Sequence, residues 1–300
     1  MKTFEDVVDL FRSHVSRKRV AVVCPDDEST VGAIRRCVDD KLAEIILVTS
    51  GRESRELDEF MAANSDKVRT VECTSVDDAA RRGVALVREG NADVLMKGSI
   101  NTDNLLRAVL DKECGLLQKG AVMSHLTAVD TPVYDRLIFF SDAAVIPRPT
   151  LEQFEAMIRY DVDICHKIGI AEPKVALIHF TEKVNSKFSH TLDYVELKSK
   201  AAAGEFGNAI VDGPMDVKTA CDAHSGEMKG ISSPVVGKAD ILIFPTLEAS
   251  NTFYKTMSLF GRATMAGVIC GTIAPVVVPP RADTADSKFY SLALACVAAG

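Results

Sequence analysis

A chain of 300 residues is long enough for one large or two medium-sized domains, and its 47% of hydrophobic residues can fill a substantial core. The formal net charge of -7 argues against non-specific nucleic-acid binding, which needs a basic face. No apolar run reaches the roughly 18 residues of a membrane span. The acidic N-terminus lacks the apolar core of a signal peptide, and the cysteines form no CxxC pair, which together predict a reduced cytoplasmic protein.

Short apolar runs alternate with longer amphipathic segments along the whole chain. The runs predicted as strands are residues 19–24, 44–49, 67–73, 93–97, 136–142, 174–180, 208–214, 239–245, 267–272 and 275–280. Helices are predicted between most of them, and a last helix follows the final strand. This alternation predicts an α/β fold with a parallel sheet that is covered on both faces.

The stretch ADVLMKGSINTDNLLRAVLDKECGL runs from a predicted strand directly into a helix. Lys97, Gly98 and Ser99 come at the carboxyl end of the strand, where ligands bind in parallel α/β sheets. Gly98 lets a ligand approach the backbone, and a helix capped near Asn101 or Thr102 points N–H groups at the same place. The pattern fits a phosphate site, and an ordinary turn with a solvated lysine fits it equally well.

Arg107 lies further along the same predicted helix. Asp103 and Asp111 are four residues away on either side, which places all three on one helix face. Spacing alone therefore favours a surface ion pair of little energetic value.

The stretch VPPRADTADSKF repeats the arrangement of the first one. A strand ends, two prolines follow, and Arg281 precedes a helix that Asp283 or Thr284 caps. An arginine at a helix N-terminus can bind phosphate through two hydrogen bonds. We favour an anion site here over a simple ion pair between Arg281 and Asp283.

Three further places carry polar residues in predictable elements. Asn251 and Lys255 share one face of a predicted helix, with Tyr254 beside them, although an exposed helix face explains the pattern equally well. Ser124 follows the apolar run AVM, and Asp142 ends a predicted strand, but each also suits a turn. The histidines form no HxH or HExxH pattern, and no metal site is predicted.

Several long segments resemble the phosphate acetyl/butyryltransferase family, in the family's order. They are ADVLMKGSINTDNLLRAVLDKE, MSHLTAVDTPVYDRLIFFSDAAV, VDGPMDVKTA, KGISSPVVGKADILIFPTLEASNTFYK and PRADTADS. The similarity runs from about residue 92 to the C-terminus, with a weaker match before it, and is strongest to the phosphate butyryltransferase branch.

The resemblance implies the fold of isocitrate and isopropylmalate dehydrogenases, two α/β domains with a cleft between them. The expected domains are residues 1–145, which residues 272–300 complete, and residues 146–271. It also implies a homodimer or higher homo-oligomer with no bound metal or redox cofactor.

The family reversibly transfers a short acyl group, butyryl or acetyl, between coenzyme A and inorganic phosphate. Acyl-CoA and phosphate are therefore the expected substrates, and coenzyme A is a substrate rather than a bound cofactor. Arg281 is expected to bind the phosphoryl or acyl end, and Asn251 is assigned to catalysis with it. The residues expected to contact substrate are Lys97, Gly98, Ser99, Arg107, Ser124, Asp142, Tyr254, Lys255 and Asp283.

Three positions depart from the family pattern. Pro280 replaces a serine before Arg281, Ser287 replaces an acidic residue, and Ser250 replaces the glycine before Asn251. We assign Asp286 to the role of the missing acid, an assignment that does not come from the family. Proline donates no hydrogen bond, and the loss of one such donor costs on the order of a hundredfold in rate.

Two alternatives remain open at this point. The departures at Pro280 and Ser287 suit a non-catalytic relative that binds coenzyme A or an acyl phosphate. Asp212 and Asp216 suit a metal-dependent NAD dehydrogenase of the same broad fold.

Overall fold

The computed structural model of the protein describes residues 1–13, 17–51 and 54–300. The chain divides into two compact units. The N-terminal unit comprises Phe4–Met123 and Met265–Gly300, and the central unit comprises Met1–Thr3 and Ser124–Thr264. Within the described ranges, no helix is both long and apolar enough to cross a membrane.

Strands and helices alternate along most of the chain, as the sequence predicts. The strands are β1 (Lys18–Val23), β2 (Ala43–Thr49), β3 (Val68–Glu72), β4 (Val94–Lys97), β5 (Ser124–Asp130), β6 (Ile138–Ser141), β7 (Lys174–Ile178), β8 (Ile210–Met215), β9 (Ile241–Ile243), β10 (Thr264–Cys270) and β11 (Val276–Val277). The helices are α1 (Phe4–Ser13), α2 (Glu28–Asp39), α3 (Arg55–Ala63), α4 (Val76–Arg88), α5 (Thr102–Val109), α6 (Leu151–Lys167), α7 (His190–Ala202), α8 (Val217–Cys221), α9 (Ala223–Lys229), α10 (Leu247–Phe260) and α11 (Ala285–Ala298).

The N-terminal unit is built on strands in the order β3-β2-β1-β4-β11-β10. The first five are parallel, and β10 runs antiparallel to β11. Side-chain caps fix where the covering helices begin: Asp27 caps α2, Ser75 caps α4 and Thr284 caps α11. The buried face of α4, which recurs with helical period, packs on this sheet and forms much of its core.

The central unit is built on strands in the order β5-β6-β9-β7-β8. The strands β6, β9, β7 and β8 are parallel, whereas β5 runs antiparallel to β6. Helix α6 begins with a capping box in which Thr150 and Gln153 each bond the other's backbone.

The structure corrects two expectations about the strands. The prediction of a parallel sheet is wrong at β5 and β10, which are antiparallel to a neighbour. Ser124 does not follow a strand; it opens β5, a strand that the sequence did not predict because buried polar residues interrupt its apolar pattern. Pairing of β5 with β6 lies within the central unit, which includes Ser124–Thr264.

Candidate functional site

Three neighbouring parallel strands of the N-terminal unit end at one edge of the sheet. In the order β1, β4 and β11, each strand leads through a short loop into a helix: α2, α5 and α11, respectively. The N-termini of these helices therefore face the same edge. A helix N-terminus carries partial positive charge and unsatisfied N–H groups, so this edge favours an anionic ligand. We refer to it as the N-terminal carboxyl edge.

Lys97 is the last residue of β4 and is buried at this edge, with 2% of its surface exposed. Its Nζ donates to the carbonyl oxygens of Gly98, at 3.1 Å, and Ile100, at 3.2 Å. No carboxylate of the described residues forms an ion pair with it. Burial lowers the pKa of Lys97 to about 8, and the positive charges of Lys288 and Arg281 contribute to that decrease.

Lys288, in the first turn of α11, is a second buried lysine and has a carboxylate partner. Its Nζ donates to Asp27 Oδ1 at 2.7 Å and to Thr30 Oγ1 at 2.9 Å. Burial would raise the pKa of Asp27, but hydrogen bonds from Lys288, Thr30 and Ser29 outweigh it and lower that pKa to about 2. Asp27 is therefore an anion that caps α2 and ties α2 to α11.

Sequence reasoning missed both Lys288 and Asp27. Lys288 lies in a helix that is otherwise largely apolar, where a single lysine reads as an exposed residue. The segment CPDDEST, directly after β1, could have identified Asp27. Its polar residues follow the end of a strand, as do those after β4 and β11.

Arg281 lies in the loop between β11 and α11 and reaches the loop after β4. Its Nη2 donates to the carbonyl oxygen of Ser99 at 3.1 Å and to Asn101 Oδ1 at 2.7 Å. Asn101 occupies the N-cap position of α5, but its side chain makes no capping bond. Among the described residues, no acceptor binds Nη1 or Nε of Arg281, so these donors can bind an anion.

The structure shows a packing role for the glycine at position 98, which the sequence did not predict. A Cβ at Gly98 would lie 2.2 Å from the carbonyl oxygen of Cys24 and 2.9 Å from the Cα of Pro25. The N–H groups of Gly98 and Ser99 donate to Val23 and Cys24. The glycine therefore allows the loops after β1 and β4 to pack together. The approach of a ligand to its backbone stays a prediction.

The remaining candidates of this unit differ in their partners and exposure. Asp286 is 70% exposed at its side chain and pairs with Arg36 of α2, at 3.3 Å. Arg107 is exposed on α5 and forms no ion pair with a described aspartate. Ser99 donates through its hydroxyl to Asp26, and Asp283 lies in the loop before Thr284, the residue that caps α11.

In the central unit, Asp142 and Asn251 meet at the loop after β6. The Asp142 carboxylate accepts bonds from the backbone N–H groups of His125 at 2.8 Å, Ala144 at 2.8 Å and Val145 at 2.7 Å. Asn251 Nδ2 donates to the carbonyl oxygen of Ala143 at 3.1 Å. Both side chains therefore fix the shape of this loop, residues 142–145, which we call the central loop.

A buried polar group lies behind the central loop. Ser141 Oγ donates to Asp161 Oδ1 at 3.0 Å, and burial raises the pKa of Asp161 well above its ordinary value. The Ser124 hydroxyl is buried and has no hydrogen-bond partner among the described residues. Ser124 opens the strand next to that of Ser141, but it does not share this hydrogen bond.

Lys255 and Asn251 are both exposed one turn apart on α10, as predicted. The Lys255 ammonium lies 4.8 Å from the centroid of the Tyr254 ring, within the range of a cation–π interaction. Tyr254 also packs edge-on against Phe140, at 6.5 Å between centroids.

The two aspartates of the dehydrogenase alternative are each held by a different lysine. Asp212 pairs with Lys198 at 2.5 Å. Asp216 pairs with Lys229 and caps α8. The described residues hold no group of three or more His, Cys, Asp or Glu side chains arranged around a common metal position.

Comparison with known proteins identifies the family. Residues 49–296 match the family model described as phosphate acetyl/butaryl transferase. The phosphate butyryltransferase of Clostridium acetobutylicum is 35% identical over 300 residues, which cover 100% of this chain and 99% of that protein.

Solved structures agree with that assignment. A branched-chain phosphotransacylase from Enterococcus faecalis superposes with a TM-score of 0.82 and 27% identity, over 94% of this chain and 99% of the other. A 4-hydroxythreonine-4-phosphate dehydrogenase from Klebsiella pneumoniae, at a TM-score of 0.50 and 13% identity over 94% of this chain and 100% of the other, shows that the α/β fold is one also used by dehydrogenases. The chain belongs to the phosphate acetyl/butaryl transferase family.

Proposed function

We propose that this protein is a phosphate acyltransferase that reversibly transfers a short acyl group, butyryl or acetyl, between coenzyme A and inorganic phosphate. Family membership supports the reaction class. The observation that carries the proposal to this chain is the N-terminal carboxyl edge, where Arg281 and Lys97 lie among the N-termini of three helices.

The chemistry of the reaction suits such an edge. Phosphate oxygen attacks the thioester carbonyl carbon, the C–S bond breaks, and negative charge develops on the carbonyl oxygen and on sulfur. Fixed cations and N–H donors stabilise that charge without any covalent intermediate on the protein. We assign phosphate binding to Arg281 through its Nη1 and Nε atoms, since Nη2 is already held by Ser99 and Asn101.

The other candidates keep narrower roles in this proposal. Asn251, Tyr254 and Lys255 form one polar face on α10 and are proposed to contact substrate. Asp142 is proposed to act indirectly, because three backbone N–H groups already occupy its carboxylate. Asp286 is the weakest candidate, since its carboxylate pairs with Arg36.

We further propose that the enzyme works in the cytoplasm as a homodimer or larger homo-oligomer and has no bound cofactor. The eight cysteines, none of which is in a disulfide, suit a reducing compartment. The domains expected from the family, residues 1–145 with 272–300 and residues 146–271, stay a prediction.

The test is the loss of thioester absorbance when pure protein is mixed with butyryl-CoA or acetyl-CoA and phosphate. Arsenate replaces phosphate in a parallel reaction, because acyl arsenates hydrolyse and draw the reaction forward. Loss that depends on phosphate or arsenate is expected, and the faster thioester identifies the acyl group. Tight binding of coenzyme A without any loss would instead select the non-catalytic alternative that Pro280 suggests.

A further inference from the structure

The N-terminal carboxyl edge contains two buried lysines with different partners. Lys288 has a full hydrogen-bonded ion pair with Asp27. Lys97 has only two carbonyl oxygens, those of Gly98 and Ile100. A buried ammonium without a carboxylate lowers the stability of the folded protein. We therefore infer that a lysine at this position serves a purpose other than stability.

The acceptors around Lys97 suit both the neutral amine and the ammonium. An ammonium group has three N–H donors, whereas a neutral amine has two and keeps one lone pair. The two carbonyl oxygens use two donors, and the third position around Nζ has no hydrogen-bond partner among the described residues. That position can hold either a lone pair or a proton.

We propose that Lys97 carries a proton between phosphate and the sulfur of coenzyme A during acyl transfer, a role that rests on the proposed function. In the direction of acyl phosphate formation, the neutral amine takes the proton of the attacking hydrogen phosphate as its oxygen bonds to the carbonyl carbon. The C–S bond then breaks and its electron pair stays on sulfur. The Lys97 ammonium protonates that thiolate, so the products are acyl phosphate, coenzyme A with a thiol, and neutral Lys97.

The charges around Lys97 support this role. From α11 and the loop before it, Lys288 and Arg281 disfavour the ammonium, while Asp27 of α2 and Asp283 favour it. The resulting pKa of about 8 is close to the roughly 8.5 of a free thiol, so a proton passes between the two groups with little cost.

Two carboxylates of this unit, those of Asp27 and Asp286, are poorly suited to the same task. Asp27, with a pKa of about 2, holds no proton near neutral pH and is occupied by Lys288. Asp286 is bound to Arg36. Ser287, which follows it, has no group that titrates near neutral pH.

The experiment measures kcat between about pH 6.5 and 9.5 in the direction of acyl phosphate formation, at saturating acyl-CoA and phosphate. No free thiol is a reactant in this direction, so its ionisation cannot shape the profile. Wild-type kcat is expected to rise with pH through about 8, as the neutral form of Lys97 increases. Lys97→Met, which keeps the packing, and Lys97→Arg, which keeps the charge, should each lose about 100-fold or more in kcat together with that rise.

Two further measurements separate proton transfer from binding and folding. Both variants should bind coenzyme A within about fivefold of wild type and unfold at a temperature no lower than wild type by more than a few degrees. Added ethylamine should restore part of the activity of Lys97→Ala, in proportion to the free-amine concentration. Rescue of this kind is expected of a missing base and not of a missing structural contact.

Four outcomes would overturn the inference. Lys97→Arg could keep the wild-type rate and pH profile, which would make the charge alone sufficient. Lys97→Met could lose coenzyme A binding by the same factor as its rate, which would make Lys97 a binding residue. Inactive wild-type protein would reject the proposed function itself, and this role with it, whereas active wild type with unchanged variants rejects only the role of Lys97.

Discussion

The N-terminal carboxyl edge and the central loop are both rich in polar side chains, but they are stabilised in opposite ways. In the central loop, backbone N–H groups surround the Asp142 carboxylate, and the Asn251 amide binds a carbonyl oxygen. At the N-terminal carboxyl edge, charged side chains meet charged side chains, and Lys97 lacks an ionic partner among the described residues.

This difference separates a polar group that shapes a loop from one that is ready for chemistry. A carboxylate with three N–H donors has little capacity left for a ligand. A buried cation without an anion attracts one, and a protein keeps such a group at a cost in stability. The comparison therefore supports our proposal that the chemistry lies with Lys97 and Arg281, and the following changes test it.

The largest effect is expected from Asp27→Asn. This change leaves the buried Lys288 ammonium without its anion, which costs about 3–5 kcal/mol of unfolding free energy. Denaturant unfolding measures the loss. The double variant Asp27→Asn with Lys288→Met should recover most of it, because both charges are then gone. As a control, Asp286→Asn removes an exposed pair and should cost no more than about 1 kcal/mol.

The next effect is on activity and comes from Arg281→Ala. Removal of one donor group that stabilises developing charge lowers kcat by about 100- to 1000-fold. Acyl exchange measures the loss, and thermal unfolding shows whether the fold survives. Arg55→Ala, which removes an exposed arginine of α3, is the matched control and should leave the rate unchanged. Full activity of Arg281→Ala would remove this residue from the site.

In the central loop, Asp142→Asn tests whether the Asp142 carboxylate stabilises the loop rather than taking part in the reaction. The new amide would point N–H groups at backbone N–H groups, which costs about 1–3 kcal/mol of unfolding free energy. Asp135→Asn, at an exposed position of the same unit, is the control for loss of a carboxylate. A variant with unchanged stability but no activity would show that Asp142 takes part in chemistry, and the comparison would fail.

The smallest expected effect is a pH-dependent gain in stability from Lys97→Met. The pKa of Lys97 is about 8 in the folded protein, whereas an unperturbed lysine, as in the unfolded chain, has a pKa of 10.5. Below about pH 8 both states carry the proton and the cost of burying it is complete, so the melting temperature of Lys97→Met should exceed that of wild type at about pH 7.

Between about pH 8 and pH 10.5 the folded wild type has lost this proton and the unfolded chain has not, so wild-type stability rises with pH. The advantage of Lys97→Met should therefore shrink across that range. Lys119→Met, at an exposed lysine, controls for loss of charge at the surface. An advantage that stays constant up to about pH 10.5 would mean that folded Lys97 keeps its proton across that range, so that burial does not lower its pKa.

The sequence predicted most elements correctly because short apolar runs and amphipathic segments carry their own periodicity. Strand β5 was missed because His125 and Thr127 are polar yet buried. The antiparallel direction of β5 and β10 was missed for a different reason: periodicity reports which face of a strand is buried and contains nothing about direction.

For the site, the sequence found the strand ends but not the partners that give each residue its properties. Lys97, Ser99 and Arg281 were predicted at strand ends, and the structure brings them to one edge. Lys288 is far from both Lys97 and Asp27 along the chain, and its pairing with Asp27 depends on how α11 packs beside α2. A contact of that kind becomes visible only when the helices are in place.

Gly98 has a consequence for attempts to change the acyl preference of this enzyme by directed evolution. Every substitution at this position adds at least a Cβ, which would overlap the backbone at Cys24 and Pro25. Substitutions at position 98 are therefore not tolerated. Libraries that randomise this residue will mainly yield misfolded variants. Ser99 and Asn101 are at least partly exposed and meet no such overlap, but their side chains bind Asp26 and Arg281, so substitutions there would also alter those contacts.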